Sequence, residues 1–156
     1  MASVYLETSF FSACVSERTD AASIYRRLRS WEWWDTQRAL HDLVISAEVL
    51  TELSHPEFRG SAAALAMTAE LQLLPLTDDV PGLARILVVA KVMPGPEAAG
   101  DALHVAAASV HRVEYMLSWN VRHLANLSKV EHLRVVCRRA GYVPPTIVTP
   151  DNLWSD

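Results

Sequence analysis

The chain has 156 residues, 51% of them hydrophobic, and its 14 Lys and Arg against 18 Asp and Glu leave a net charge of −4. That length suits one compact domain with its own core, and the absence of any run of about 20 apolar residues excludes a membrane-spanning helix. The negative balance excludes a protein that coats nucleic acid through its whole surface, although acids gathered at one site would produce the same sum.

Met1 to Phe11 carries Glu7 and no basic run, so no secretory signal is expected and the cytoplasm is the default location. Val4-Tyr5-Leu6 reads as a strand, followed by a polar turn at Thr8-Ser9. Cys14 lies far from Cys137, the only other cysteine, so the two read as buried thiols rather than a metal-ligand pair. Asp20 to Arg29 carries Ile24, Tyr25 and Leu28 at helical spacing, and a second helical stretch runs from Trp34 to Leu40. Leu43-Val44-Ile45 is the next strand, leading directly into a helix that contains Glu48 and Glu52 and has Ser46 as its expected N-cap. Residues 56–71 read as an alanine-rich helix, 73–76 as a strand and 79–91 as another helix. Pro94-Gly95-Pro96 is a loop, and a helix runs from Gly100-Asp101 to His111. Tyr115 to Ser118 is a strand that ends at Trp119-Asn120. A last helix over 130–140 has Gly141 as its expected C′ residue, Pro144-Pro145 stops it, and Thr146-Ile147-Val148 closes the chain as a strand. Short apolar strands alternating with helices indicate an α/β domain over residues 1–156 with a mainly parallel, buried sheet.

In such a sheet, ligands bind outside the carboxyl ends of the strands. Glu7 follows the first strand, Glu48 the second, Asp101 opens the helix before the Tyr115 strand, and Asn120 follows that strand. All four can meet at one sheet edge. Adjacent carboxylates repel, and a hard divalent cation relieves that repulsion through oxygen ligands. Such an ion activates water and stabilises charge developing on a phosphoryl oxygen, which is the chemistry of phosphodiester hydrolysis. By themselves, four polar residues at strand ends also fit solvated caps and turns.

The local sequences narrow this. Val-Tyr-Leu-Glu-Thr-Ser at 4–9, Ser-Ala-Glu-Val-Leu at 46–50, Gly-Asp-Ala-Leu-His-Val-Ala at 100–106, Leu-Ser-Trp-Asn-Val-Arg-His-Leu-Ala-Asn at 117–126 and Ile-Val-Thr-Pro-Asp-Asn-Leu at 147–153 follow one another over nearly the whole chain. In order, they resemble the blocks of PIN-domain proteins, in particular the VapC-like ribonucleases of toxin–antitoxin pairs. The resemblance implies a Rossmann-like α/β/α sandwich and Mg²⁺- or Mn²⁺-dependent cutting of RNA. It places Glu7, Glu48, Asp101 and Asn120 at the four metal and catalytic positions, and Thr8 or Ser9 at the hydroxyl position that orients metal-bound water. It further implies a small antitoxin partner and a homodimer. The first position is more often Asp in the family, so the longer Glu7 moves its carboxylate by about 1.5 Å. The fourth is often Asp, and Asn120 supplies oxygen without charge. These two departures motivate the alternative, a PIN-like RNA- or protein-binding module with little catalysis.

Other residues have two readings each. Arg122 and His123 leave the proposed site on its loop and are placed to meet RNA phosphates. His104 shares a helix face with Asp101, either as a ligand in Asp-x-x-His form or, the reading preferred here, as a satisfied structural histidine. Glu52, one turn beyond Glu48, reads as part of a solvated face before it reads as a supporting acid. Trp31, Trp33 and Trp34 are candidates for a partner surface, with core packing claiming at least one. The Arg26-Arg27-Arg29 and Arg138-Arg139 runs read as solvated helix faces, unless they form a basic rim around an acidic centre.

Overall fold

A computed structural model describes residues 1–156. Five strands form one parallel sheet: β1 (Ala2–Leu6), β2 (His41–Ser46), β3 (Gln72–Leu74), β4 (Tyr115–Leu117) and β5 (Thr146–Val148), in the order β3-β2-β1-β4-β5. Val4 pairs with Leu43 on one side of β1 and with Tyr115 on the other. Val4, Tyr5 and Leu6 are fully buried, as a central parallel strand covered on both faces must be.

The helices are α1 (Thr8–Val15), α2 (Ala21–Gln37), α3 (Ala47–Leu53), α4 (Ser61–Thr68), α5 (Asp79–Val89), α6 (Gly100–Val110) and α7 (Leu127–Arg139). Most of their contacts fall into two groups, α1 with α2, α3 and α4, and α5 with α6 and α7, with α3 also meeting α6. Right-handed crossovers put helices that connect strands running outward to β3 on one face, and those returning through β4 to β5 on the other. The expected α/β sandwich is present. Strand order reverses between β1 and β4, which opens a crevice beyond their carboxyl ends.

Several elements differ from the sequence reading. Thr8 and Ser9 are the first turn of α1 rather than a free turn, because Glu7 caps the helix by accepting from the Ser9 N–H at 3.0 Å. The stretches 20–29 and 34–37 are one helix, α2, capped by Asp20, with 38–40 following as a 3-10 turn, so the tryptophans lie within a helix and not at a junction. Ser46 holds the N-cap position of α3, but its hydroxyl goes to Tyr5 instead of the helix. The helix expected over 56–71 is confined to α4. Its N-cap, Gly60, is pressed on α1 so closely that a Cβ there would lie 2.4 Å from Val15 Cγ2, and turns precede it. Gly141 takes the left-handed conformation expected after α7, with φ of 90°.

The core is one cluster reaching from the sheet into both helix groups. Cys14 and Cys137 are buried and unbridged, and burial pushes their thiols up to about 12 and about 11, so both stay protonated. His41 is the core's one unsatisfied polar side chain. Its ring stacks on Trp33 with centroids 5.7 Å apart, and neither ring nitrogen has a hydrogen-bond partner. Burial, aided by the N-terminal ammonium, holds its pKa below the usual histidine value. The unfolded chain therefore takes up that proton first. Stability is full above the unfolded pKa of about 6.5 and is lost as pH falls from there towards the depressed folded value. His41→Phe, which keeps the stack, is expected to raise stability by about 1 kcal/mol at pH 8. The gain should grow on acidification to pH 5.5, as read by urea denaturation at both pH values.

Candidate active site

The crevice beyond β1 and β4 is an open cleft of about 1030 Å³ lined by Glu7, Thr8, Ser9, Glu52, Asp101 and Asn120, among others. The backbone joins its two halves, with the Glu7 N–H donating to Leu117 O at 3.1 Å. Side chains then tighten the junction. One oxygen of Glu7, Oε2, accepts from the Ser9 N–H, from the Ser9 hydroxyl and from Ser118 Oγ at 2.8 Å. Ser9 Oγ in turn accepts from the Trp119 N–H at 2.8 Å, and Ser118 Oγ accepts from the Asn120 N–H at 2.9 Å. Glu7 is thus fixed by three donors on one oxygen.

Glu52 is held from the other side. Thr8 Oγ1 donates to Glu52 Oε1 at 2.7 Å, and His104 Nε2 bonds the same oxygen. Because a carboxylate only accepts, Nε2 carries the hydrogen. His104 Nδ1 lies 2.6 Å from the Tyr5 hydroxyl, which lies 2.7 Å from Ser46 Oγ. Tyr5, Ser46 and His104 are fully buried, and burial pushes the Tyr5 hydroxyl far up, keeping it neutral. A buried chain of hydrogen bonds thus runs from the end of β2, through β1 and α6, to the Glu52 carboxylate. Burial lowers the pKa of His104, but the bond to Glu52 and the charges of Glu7, Glu52 and Glu48 outweigh it and raise the net value. Glu52 responds in the opposite sense: burial raises it, and His104 with Thr8 brings it below the usual carboxylate range.

Asp101 enters from the first turn of α6. Asn120 Nδ2 faces both of its oxygens, at 3.3 and 3.2 Å, while Asn120 Oδ1 accepts the His123 N–H at 3.2 Å. That backbone donor fixes the amide orientation. Asn120 therefore turns its NH₂ to Asp101. Burial raises the Asp101 pKa, against the charges of His104 and His123.

The sequence-derived residues are not all alike in position. Glu7, Thr8, Ser9, Asp101 and Asn120 line the cleft, whereas Glu48 is buried at 8% exposure and does not. Burial and then Glu52 push the Glu48 carboxyl up. Arg122 and His123 follow on the loop beyond Asn120 and are not among the cleft-lining residues, with Arg122 exposed. Two residues that the sequence reading discounted stand at the centre. Glu7, Glu52 and His104 offer ligand atoms that all lie within 4.8 Å of one another. Their signal was present as Glu48 and Glu52 one turn apart, and Asp101 and His104 three apart, on shared helix faces. The Arg26–Arg29 run is only partly a solvated face, since Arg26 lines the cleft.

No family model and no curated protein matches the sequence. Solved structures do. VapBC2 from Rickettsia felis, determined with a promoter DNA fragment, aligns over 98% of this chain and 99% of its own at 13% identity and a TM-score of 0.58. VapC20 from Mycobacterium tuberculosis, a sarcin-ricin loop cleaving toxin, aligns over 91% of this chain and 99% of its own, at 18% identity and a TM-score of 0.57. FitAcB from Neisseria gonorrhoeae aligns over 96% and 99%, at 12% identity and a TM-score of 0.55. The chain has the VapC-like PIN-domain fold. In this PIN fold, the cleft at the β1/β4 reversal carries the carboxylates, and no helix is long and apolar enough to cross a membrane.

Proposed function

We propose that this PIN-fold protein is a metal-dependent endoribonuclease, the toxin of a toxin–antitoxin pair acting in the cytoplasm. The observation that carries the reading is the gathering of Glu7, Glu52 and Asp101 into one cleft at the strand-order reversal. The likeness to VapC20, a toxin that cleaves the sarcin-ricin loop, supports it. The donor set suits Mg²⁺ or Mn²⁺: carboxylate oxygens of Glu7, Glu52 and Asp101 line the cleft, hydroxyls of Thr8 and Ser9 adjoin them, and His104 stands within ligand distance of Glu7 and Glu52. Bound there, such an ion would lower the pKa of water and stabilise charge on a phosphoryl oxygen.

The protein's own residues then have distinct tasks. Glu7, Glu52 and Asp101 hold the ion, replacing the expected set in which Glu48 took the second place. Asn120 orients Asp101 through its NH₂ rather than lending an oxygen. His104 and Thr8 saturate one oxygen of Glu52 and leave the other for the cleft. Ser9 and Ser118 do the same for Glu7. Arg122 and His123 remain candidates for RNA phosphates beyond the cleft. A small antitoxin partner belongs to this reading, supported by solved neighbours that are VapBC complexes, and a homodimer is proposed with it.

The test is cleavage of a structured-RNA pool by the purified protein with Mg²⁺, Mn²⁺ or EDTA, beside Asp101→Asn. Metal-dependent cutting should fall by about 100-fold or more in the variant, the scale on which a lost transition-state charge contact acts. A second reading, a binding module with little catalysis, is favoured by one feature: three donors already occupy Oε2 of Glu7, which leaves that residue a single free oxygen. RNA retained without turnover in either metal, by protein that remains folded, would put that reading first.

A further inference from the structure

We propose that Arg18, Arg26 and Arg59 form a phosphate-holding rim that seats a single polynucleotide strand across the carboxylate centre. The proposal rests on the nuclease reading for the identity of the centre, and on separate observations for the rim. All three arginines line the cleft, and none forms an ion pair, although Glu17 and Glu57 line the same cleft. Only Arg29, Arg85 and Arg134 among the lysines and arginines pair with acids, and none of these three lines the cleft. A chain of net charge −4 thus keeps three unpaired guanidiniums around its most acidic site. No acid within the protein takes that charge into an ion pair, and a polyanion approaching the carboxylates needs it to offset their repulsion.

The rim is also held in place. The Arg26 guanidinium lies over the Trp119 ring, 5.6 Å from its centroid, within cation–π range. Trp119 is itself fixed, with Nε1 donating to Ser30 Oγ at 2.7 Å and its backbone N–H donating to Ser9 Oγ at 2.8 Å. Arg26 is therefore carried on the residue next to Asn120. Arg18 follows α1 in a loop whose carbonyl at Ser16 accepts from Arg27 at 2.9 Å. Arg59 precedes Gly60, and the contact of Gly60 with Val15 seats the Arg59 turn against the end of α1. Three separate segments thus deliver cations to one cleft. Its volume, about 1030 Å³, reaches the top of the range of roughly 300–1,000 Å³ usual for small-molecule sites, and its floor is acidic, which suits an extended polymer contacted through its phosphates.

The experiment is fluorescence-anisotropy binding of a 12-nucleotide mixed-sequence single-stranded RNA (about 12 nucleotides spans the several phosphates needed for a salt slope). It is run in EDTA so that no metal-dependent turnover intervenes, over a salt series. Wild type is compared with Arg18→Ala/Arg26→Met/Arg59→Ala and with Arg26→Lys. Each phosphate contact contributes about 0.7 to the slope of log affinity against log salt for single strands. The triple variant should lose about 2 from that slope and bind about a hundredfold more weakly at 0.1 M salt. Arg26→Met keeps the stem on Trp119, and Arg26→Lys should keep the slope, which separates charge from packing. An unchanged slope in a folded triple variant overturns the rim, as does binding of an acidic peptide in preference to RNA. The two readings fail separately: wild type that binds RNA with this arginine dependence and never cleaves retains the rim and loses the nuclease.

Discussion

Glu52→Gln is expected to reduce metal-dependent RNA cleavage by about a hundredfold or more, while Glu48→Gln leaves it within about threefold. The two carboxylates lie one turn apart on α3, and the fold treats them oppositely. Glu52 reaches the cleft and has His104 and Thr8 on one oxygen, with its pKa drawn below the usual range. Glu48 is buried, stands outside the cleft lining and has its carboxyl pushed up by burial. Removing charge at Glu52 takes a ligand from the proposed ion and leaves His104 facing an amide. Removing it at Glu48 relieves a desolvated acid beside Glu52. Single-turnover cleavage at saturating Mn²⁺, with Mn²⁺ affinity measured by calorimetry, separates the cases. Should Glu48→Gln be the inactive variant and Glu52→Gln the active one, the second metal position returns to Glu48.

The largest effect on stability is expected from Trp33→Ala, at about 3–5 kcal/mol. For a chain of this length, that corresponds to a fall in melting temperature of roughly 6–20 °C. Trp33 is fully buried, meets Phe10 edge-on with centroids 5.7 Å apart, and stacks on His41. Its Nε1 donates to Leu153 O at 2.7 Å, so truncation opens a cavity and also removes a tie to the C-terminal segment. Gln37 holds the same segment through paired bonds with Ser155. Trp31→Ala is the control: Trp31 is 36% exposed and bonds only the Cys14 carbonyl, so its cost should be about 1 kcal/mol. Equal losses from the two variants, by thermal or urea unfolding, would show that α2 does not depend on Trp33 for its seat.

The strands and most helices were legible because their apolar residues repeat at distances a local reading can see. Val4 to Leu6, Leu43 to Ile45, Met116 to Leu117 and Ile147 to Val148 are short β-prone runs, and all fall within strands of the sheet. Helix α1 was not legible in the same way. Glu7 is an unusual N-cap, and Thr8-Ser9 has the composition of a turn; the helix is secured by donors from Ser9 and by Ser118, 111 residues away. The continuity of α2 was hidden by three tryptophans whose separate destinations, Cys14, Leu153 and the aromatic core, appear only on folding.

The sequence by itself determined the class of the protein: alternating strands and helices, acids at strand ends, and local blocks resembling the PIN family, all of which depend on residues within a few positions of one another. Tertiary structure decided which acids share the cleft. Glu48 and Glu52 have the same residue type, helix and face, and helical spacing cannot rank them. Their difference comes from what packs against α3, with His104 from α6 and Thr8 from α1 reaching Glu52 across 52 and 44 residues of chain. The same is true of the amide of Asn120, turned by the His123 N–H so that it gives Asp101 its donors. Charge and hydrogen bonding act through space and fall off over a few ångströms, so their partners are set by the fold.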